Sequence, residues 1–330
     1  MTPHWMSTRL AWVAGAVALT LAAHTPAHSA QTYPDRPIRL ITPFPAGGAA
    51  DTLARALARS LTDATQQTVI VENRAGAGGI IGTATVAKAA PDGYTLLLGN
   101  VSTLATAPSL YTKLPYDPMT DFTPLTLVGR SPLVFAVNEQ SPLKALPDLI
   151  QAASAKPGTL DYGSSGAGSI THLTGELLNV AAKGGLVHIP YKGSPPVVLA
   201  VVSGELDMGV TQVAEMLPQY RGKQLRPLAI TGNERLPAIP EVPTAAELGV
   251  RGLEATTWYA VVAPKGVPQP VIDVLQPMLV KALDDPELKK RFIDEGLIIQ
   301  SSTPQALSDL MKKEIPAWAE VVQRAGVKLD

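Results

Sequence analysis

Two glycine-rich segments carry the residue pattern with the clearest chemical use. Pro43-Phe44-Pro45-Ala46-Gly47-Gly48-Ala49-Ala50-Asp51 lies between an apolar run and an amphipathic stretch. Roughly 120 residues later, Tyr162-Gly163-Ser164-Ser165-Gly166-Ala167-Gly168-Ser169-Ile170-Thr171-His172-Leu173 occupies an equivalent place. Small residues let a backbone approach a ligand closely, and the first N–H groups of a helix have no partner inside it, so each segment is suited to an anion. One glycine turn is a weak signal, because such turns also join strands to helices for structural reasons alone. Two of them, each opening one half of the chain, point to a ligand held between two domains by facing backbone donors. Neither segment contains arginine, so recognition rests on N–H groups, hydroxyls and bridging water.

Other chemistries find less support. Beyond the N-terminal segment the chain holds only His172 and His188, and it has no cysteine and no HExxH arrangement, so neither a metal site nor thiol chemistry is expected. His188 sits in an apolar strand-like run and reads as structural. Gly163-Ser164-Ser165-Gly166 approaches a nucleophile elbow, but Ala167 stands where G-x-S-x-G requires glycine. An exported ester hydrolase using Ser165 or Ser169 is therefore the minor enzymatic alternative. Gly76 and Gly78 begin a dinucleotide fingerprint that Ile81 breaks, which leaves a turn. No organic cofactor is implied. Lys and Arg number 27 against 28 Asp and Glu, a balance that offers no basic stripe for nucleic acid.

The elements that must position the two turns form an alternating series. Pro37–Thr42 reads as a strand, Asp51–Ala64 as a helix with Leu53, Ala56, Leu57 and Leu61 on one stripe, and Thr68–Val71 as a strand. A helix through Thr83–Ala89 and the strand Tyr94–Leu98 complete a βαβαβ order, which predicts a parallel sheet covered by helices. Further strands are expected at Leu133–Val137, Leu186–Ile189, Leu206–Val210, Pro227–Ile230 and Trp258–Ala263. From Pro270 the chain reads as mostly helical, with a kink at Pro277. A length of 330 residues exceeds what one core usually serves, so two domains are expected. At the N-terminus, Arg9 precedes the apolar run Leu10–Ala23 and the small-residue segment Ala27-His28-Ser29-Ala30. That order predicts a signal peptide over residues 1–30, cleaved after Ser29 or Ala30, and an exported chain.

At these motifs the sequence resembles the receptors of tripartite tricarboxylate transporters, the Bug family of periplasmic solute-binding proteins. The resemblance rests on Tyr33-Pro34-Asp35-Arg36-Pro37-Ile38, Pro43–Gly48, Val71-Glu72-Asn73-Arg74, Gly76-Ala77-Gly78-Gly79 and Pro91-Asp92-Gly93-Tyr94-Thr95-Leu96. It continues through Gly163–Ser169 with His172-Leu173, Tyr191-Lys192-Gly193-Ser194, Gly204-Glu205-Leu206-Asp207, Ala263-Pro264-Lys265-Gly266 and Trp318 to Lys328. Such a resemblance implies an α/β, two-domain periplasmic-binding-protein (Venus flytrap) fold with a ligand cleft between the domains. It implies a small carboxylate ligand, a periplasmic location and delivery to the permease subunits of a membrane transporter, without catalysis. A receptor feeding a membrane sensor kinase is the other non-enzymatic alternative. The domains are expected at residues 31–131 with 256–330, and at 132–255.

The same resemblance places a carboxylate on Phe44, Ala46, Gly47 and Gly48 from one side and on Ser164, Ser165, Ala167, Gly168 and Ser169 from the other, with Phe44 closing over it. Asp51 stands open between a ligand contact and a partner for its helix dipole. His172 stands open between orienting the second loop and filling the interface. Ser102, after the strand Tyr94–Leu98, and Tyr191 and Thr211, in the second half, are further candidates. Pro195-Pro196 departs from the single proline usual in the family, though Ser194 as N-cap with Pro195 in the first turn still permits a helix.

Overall fold

The computed structural model of the chain describes residues 33–329, and every element named below falls within Arg36–Asp330. The expected signal peptide, residues 1–30, lies outside the described residues. Among the described residues no helix is long and apolar enough to cross a membrane.

Strand β1 (Ile38–Thr42) runs parallel between β2 (Val69–Asn73) and β3 (Thr95–Asn100), joined by α1 (Ala49–Thr65) and α2 (Ile80–Ala87). Leu53, Ala54, Leu57, Ala58 and Leu61 bury one stripe of α1, as their spacing requires. The helix stops at Gln66, which takes a left-handed conformation at φ 59. This half matches the expected βαβαβ order.

The expectation of a parallel sheet needs correction, because the sheet is mixed. Strand β9 (Thr256–Pro264) inserts antiparallel between β3 and the long strand β4 (Phe122–Asn138). A local alternation of strands and helices reports only sequence neighbours, whereas β9 returns from far along the chain to pair with both. Strand β4 is also much longer than Leu133–Val137. Pro124 lies inside this strand at a register shift, where a missing N–H is tolerated.

Two pairing environments share β4. Phe122–Pro132 pairs with β9, while Leu133–Asn138 pairs with β7 (Met208–Gln212) on one side and β8 (Leu225–Ile230) on the other. Beyond β7 lie β5 (Leu160–Ser164) and β6 (Leu186–Pro190), both parallel neighbours. The strand order is β2-β1-β3-β9-β4-β7-β5-β6, with β8 and the short β10 (Ile298–Ile299) also on β4. In the distal part of β4 the side chains alternate. Leu133, Phe135 and Val137 join one buried cluster with Tyr162 and Leu173, while Val134 and Ala136 join another with Val197 and Val201.

The helices complete the arrangement. In chain order they are α3 (Ala107–Leu110), α4 (Leu146–Ala155), α5 (Ile170–Ala181), α6 (Ser194–Ser203) and α7 (Val213–Arg221). Near the C-terminus come α8 (Gln269–Leu283), α9 (Pro286–Asp294) and α10 (Pro304–Ala325). Helix α8 continues through Pro277, and Pro195 and Pro196 sit in the first turn of α6, where a proline costs no hydrogen bond. Helix α10 packs against α3 beside the first strands and against α5 beside the second set.

Candidate functional site

The first glycine turn leaves β1 and enters α1. Gly47 has φ +83, a conformation that strains any residue with a side chain, and its N–H donates to Asp51 Oδ2 at 3.0 Å. Gly48 is the N-cap of α1 at φ −83 and ψ 173, an ordinary extended conformation, with no side-chain cap. Asp51 is 4% exposed and anchors the loop. Besides Gly47 it accepts from Arg55 Nε at 3.0 Å and from Asn73 Nδ2 at 2.9 Å, and the same Asn73 amide donates to the Phe44 carbonyl at 3.2 Å. Burial pushes the Asp51 carboxyl up, but the bonds from Arg55, Gly47 and Asn73 outweigh it and hold the group below its ordinary value. Asp51 therefore braces the turn from inside. The turn amides without an acceptor among the described residues include those of Ala46, Gly48 and the first helical residues, Ala49, Ala50 and Asp51.

Phe44 leans on the second short glycine run. Gly79, in the Gly76–Gly79 segment, has φ +99, and a Cβ built on it would clash with Thr103 Cγ2 at 2.6 Å while only touching Phe44 Cε1 at 3.4 Å. Ser102 follows β3 with its N–H on Asn100 Oδ1 at 3.0 Å. The Asn100 side chain thus shapes this corner.

The second glycine turn joins β5 to α5 and is held by hydroxyls. Ser169 caps α5 by accepting the His172 N–H at 3.2 Å. Thr171 Oγ1 meets Ser165 Oγ at 2.8 Å and Ser169 Oγ at 2.9 Å, and it accepts the Ser165 N–H at 2.9 Å. Thr171 was not among the expected site residues, although the spacing of Ser165, Ser169 and Thr171 around one helix start is the signal that could have found it. Ala167 is exposed at the tip, and its N–H has no acceptor among the described residues.

His172, buried, and His188, half-buried, stack behind this turn, with ring centroids 3.7 Å apart and planes 12° apart. Gly168 N–H donates to His172 Nδ1 at 2.9 Å, which places the proton of the neutral ring on Nε2. His188 Nε2 lies 2.7 Å from Ser164 Oγ, and Glu176, 3.9 Å from His172 Nε2, accepts from the Tyr162 hydroxyl at 2.6 Å. Burial lowers His172 to about 4; burial, with His172 as a neighbour, lowers His188 to about 4. Both rings are neutral at pH 7. His172 thus has the loop-orienting geometry, and His188, expected to be purely structural, belongs to the same support.

The other candidates are more scattered. Thr211, at the end of β7, is 2% exposed with its hydroxyl unpaired among the described residues, as is Thr42 at the end of β1. Tyr191 donates its hydroxyl to Glu205 at 2.9 Å. Gly168 touches Leu329 and Leu110, which belong to the C-terminal and α3 side of the molecule.

A cavity of about 510 Å³ opens beside the first turn. Gly47, Gly48, Ala49 and Thr52 form one wall; Pro195, Val198 and Leu199 of α6 and Ala214, Glu215, Pro218 and Gln219 of α7 form the facing wall; and Phe292, Glu295 and Leu297 close an end. None of Ser164–Ser169 lines this space, although Gly193, just before α6, donates to the Ser165 carbonyl at 3.0 Å. The arrangement can present backbone amides to an anion at one end and apolar side chains to the rest of a small molecule.

Comparison with known proteins fits this geometry. Residues 53–327 match the family described as tripartite tricarboxylate transporter family receptor. The chain is similar to the protein BugT of Bordetella pertussis, 40% identical over 323 residues that cover 98% of this chain and 99% of BugT. The structure of the periplasmic binding protein BugD is 36% identical, with a TM-score of 0.82 over 90% of this chain and all of that one. A protein of R. palustris solved with adipate is 33% identical, with a TM-score of 0.84 over the same shares.

Proposed function

The chain belongs to the tripartite tricarboxylate transporter receptor family, and from that premise we propose that it is a periplasmic receptor for a small carboxylate. It has the mixed α/β, two-domain periplasmic-binding-protein fold of its relatives. In this reading the first domain comprises residues 31–131 and 256–330, and the second comprises 132–255. The ligand carboxylate rests on the Ala46 and Gly48 amides and the open first turn of α1, with Phe44 beside it. The turn through Ala167 closes from the second domain, and the loaded receptor delivers its cargo to membrane permease subunits.

The observation that carries the proposal is the set of unpaired amides at the start of α1, braced from behind by Asp51 and facing a 510 Å³ cavity that both domains line. Capture without chemistry is favoured over ester hydrolysis by the state of the serines. Ser165 and Ser169 are bonded to Thr171 rather than to a base, and Ser164, which does meet a histidine, is 0% exposed.

A thermal-shift panel of mono-, di- and tricarboxylates tests this function. A bound acid at one hundred times its dissociation constant should stabilise the folded chain by about 2.7 kcal/mol. A panel of acids that leaves Tm unmoved, while a neutral sugar or a metal ion raises it, overturns the ligand class.

A further inference from the structure

The chain that follows α10 comes to rest on the second glycine turn. Glu314, midway along α10, accepts from Trp258 Nε1 at 2.7 Å and from Trp318 Nε1 at 3.1 Å, which ties the helix to β9. Helix α10 ends at Gly326, held at φ +64, and the Val327 N–H donates to the Val322 carbonyl at 3.2 Å. This reversal brings the tail to α3, where the Leu329 N–H donates to the Leu110 carbonyl at 3.2 Å. Both leucine side chains lie against the buried Gly168. A Cβ built on Gly168 would be 2.3 Å from Leu329 Cδ1 and 3.1 Å from Leu110 Cδ1. Gly168 stands at φ +72 with its N–H on His172 Nδ1, so His172 holds the turn from one side and Leu329 covers it from another. Val327 and Leu329 pack against the main buried cluster, while Lys328 between them is exposed.

We propose that the tail at residues 327–329 is a latch between the proposed domains: Leu329 seats on Gly168 in the closed arrangement and biases the free receptor towards it. The inference rests on the reading that residues 132–255 move as a unit against the rest. Under that division Leu329 and Leu110 belong to the first domain and Gly168 to the second, so opening must part them. Parting them returns the apolar faces of both leucines to water, which opposes the movement. The latch therefore acts on the balance between open and closed chains, not on the bound acid. A ligand that needs both turns loses less affinity when the closed chain is already well populated.

The test deletes residues 327–330 and follows the chain, without ligand, by small-angle scattering. Losing so few residues would by itself shrink the radius of gyration by about 0.5%. Loss of the latch should instead raise the radius, because the two halves spend more time apart. Leu329→Ala keeps the chain length and the Gly326 cap and should give a smaller rise. Both variants should retain the circular dichroism of the wild type, and amide exchange through the second turn should quicken in both. A radius that stays level or falls in the folded variants overturns the latch even where exchange quickens, since Leu329 would then be a local cover only. If the truncated chain does not fold, Leu329→Ala decides by the same criterion. No acid enters the comparison, so an acid panel without a hit would remove the carboxylate reading and leave this one standing. A wild type that contracts on binding an acid, with a radius indifferent to truncation, would keep the moving domains and reject the latch.

Discussion

Gly47 and Gly48 are adjacent and chemically identical, yet the backbone separates their roles. Gly47 is held at φ +83 with its N–H committed to Asp51, so a β-branched side chain there strains the turn. Gly48 has an extended backbone, and a Cβ on it would meet nothing nearer than the Pro45 carbonyl at 3.8 Å. Gly47→Val should therefore lower stability by about 1–2 kcal/mol, visible as a reduced urea midpoint. Gly48→Val, at the N-cap, should cost about 1 kcal/mol, leaving the chain folded in buffer, but fill the cavity mouth and cover the open amides. Loss of one to two charge-assisted bonds corresponds to about tenfold or more in affinity, read by calorimetric titration. A folded Gly48→Val protein that binds its acid normally would move the anion site elsewhere. Sequence patterning located both glycines in a strand-to-helix turn but could not divide them. That division depends on Asp51 reaching back four residues, and an acid at a helix start is equally consistent with a simple dipole partner.

Among the elements, the junction of β5 and α5 is the one built to respond to pH. The His172–His188 stack is neutral, and His172 must remain so to accept the Gly168 N–H. Its folded pKa of about 4 lies below the ordinary 6.5, so the unfolded chain takes up a proton before the folded one does. The stability it contributes is therefore complete above pH 6.5 and is lost as pH falls towards 4. For His172, 6% exposed, a depression of that size corresponds to about 3 kcal/mol; His188, more accessible and coupled to it, adds less. Urea midpoints at pH 7 and pH 5 should differ in the wild type, and His172→Gln should flatten much of that difference. A variant with an undiminished pH dependence would remove His172 from the loop support. The strands and helices around this junction were legible because each buries a periodic apolar face. The stack was not, because His172 and His188 belong to different elements and only the parallel pairing of β5 with β6, which puts His188 opposite Tyr162, brings them behind one loop.

At the scale of the whole molecule, the chain crosses between the pairing environments twice, and both crossings are tied to one threonine. Strand β4 changes partners at Pro132 and Leu133, and the chain returns at Ala255 into β9. Thr231 Oγ1 accepts the Leu133 N–H at 2.8 Å and donates to the Ala255 carbonyl at 2.5 Å, so the two crossings sit side by side. This long-range geometry was outside the reach of local patterning. The mixed pairing of β9 depends on residues from three distant parts of the sequence. Paired crossings confine relative movement of the proposed domains to bending about a single short region. Away from them, Gly48 and Pro195 stand on the two walls of one cavity, while a buried core that includes Leu97, Phe135, Tyr162 and Trp258 runs between the halves. A ligand that touches both walls is bound more tightly by the closed arrangement, so occupancy should shift the population towards it. Small-angle scattering with a saturating acid, identified first by thermal shift, should give a smaller radius of gyration than the free chain. Gly48→Val, which fills the cleft mouth without straining the hinge, should abolish that contraction. An unchanged radius for the wild type, measured where calorimetry shows full occupancy, would mean that the receptor captures its ligand without closing.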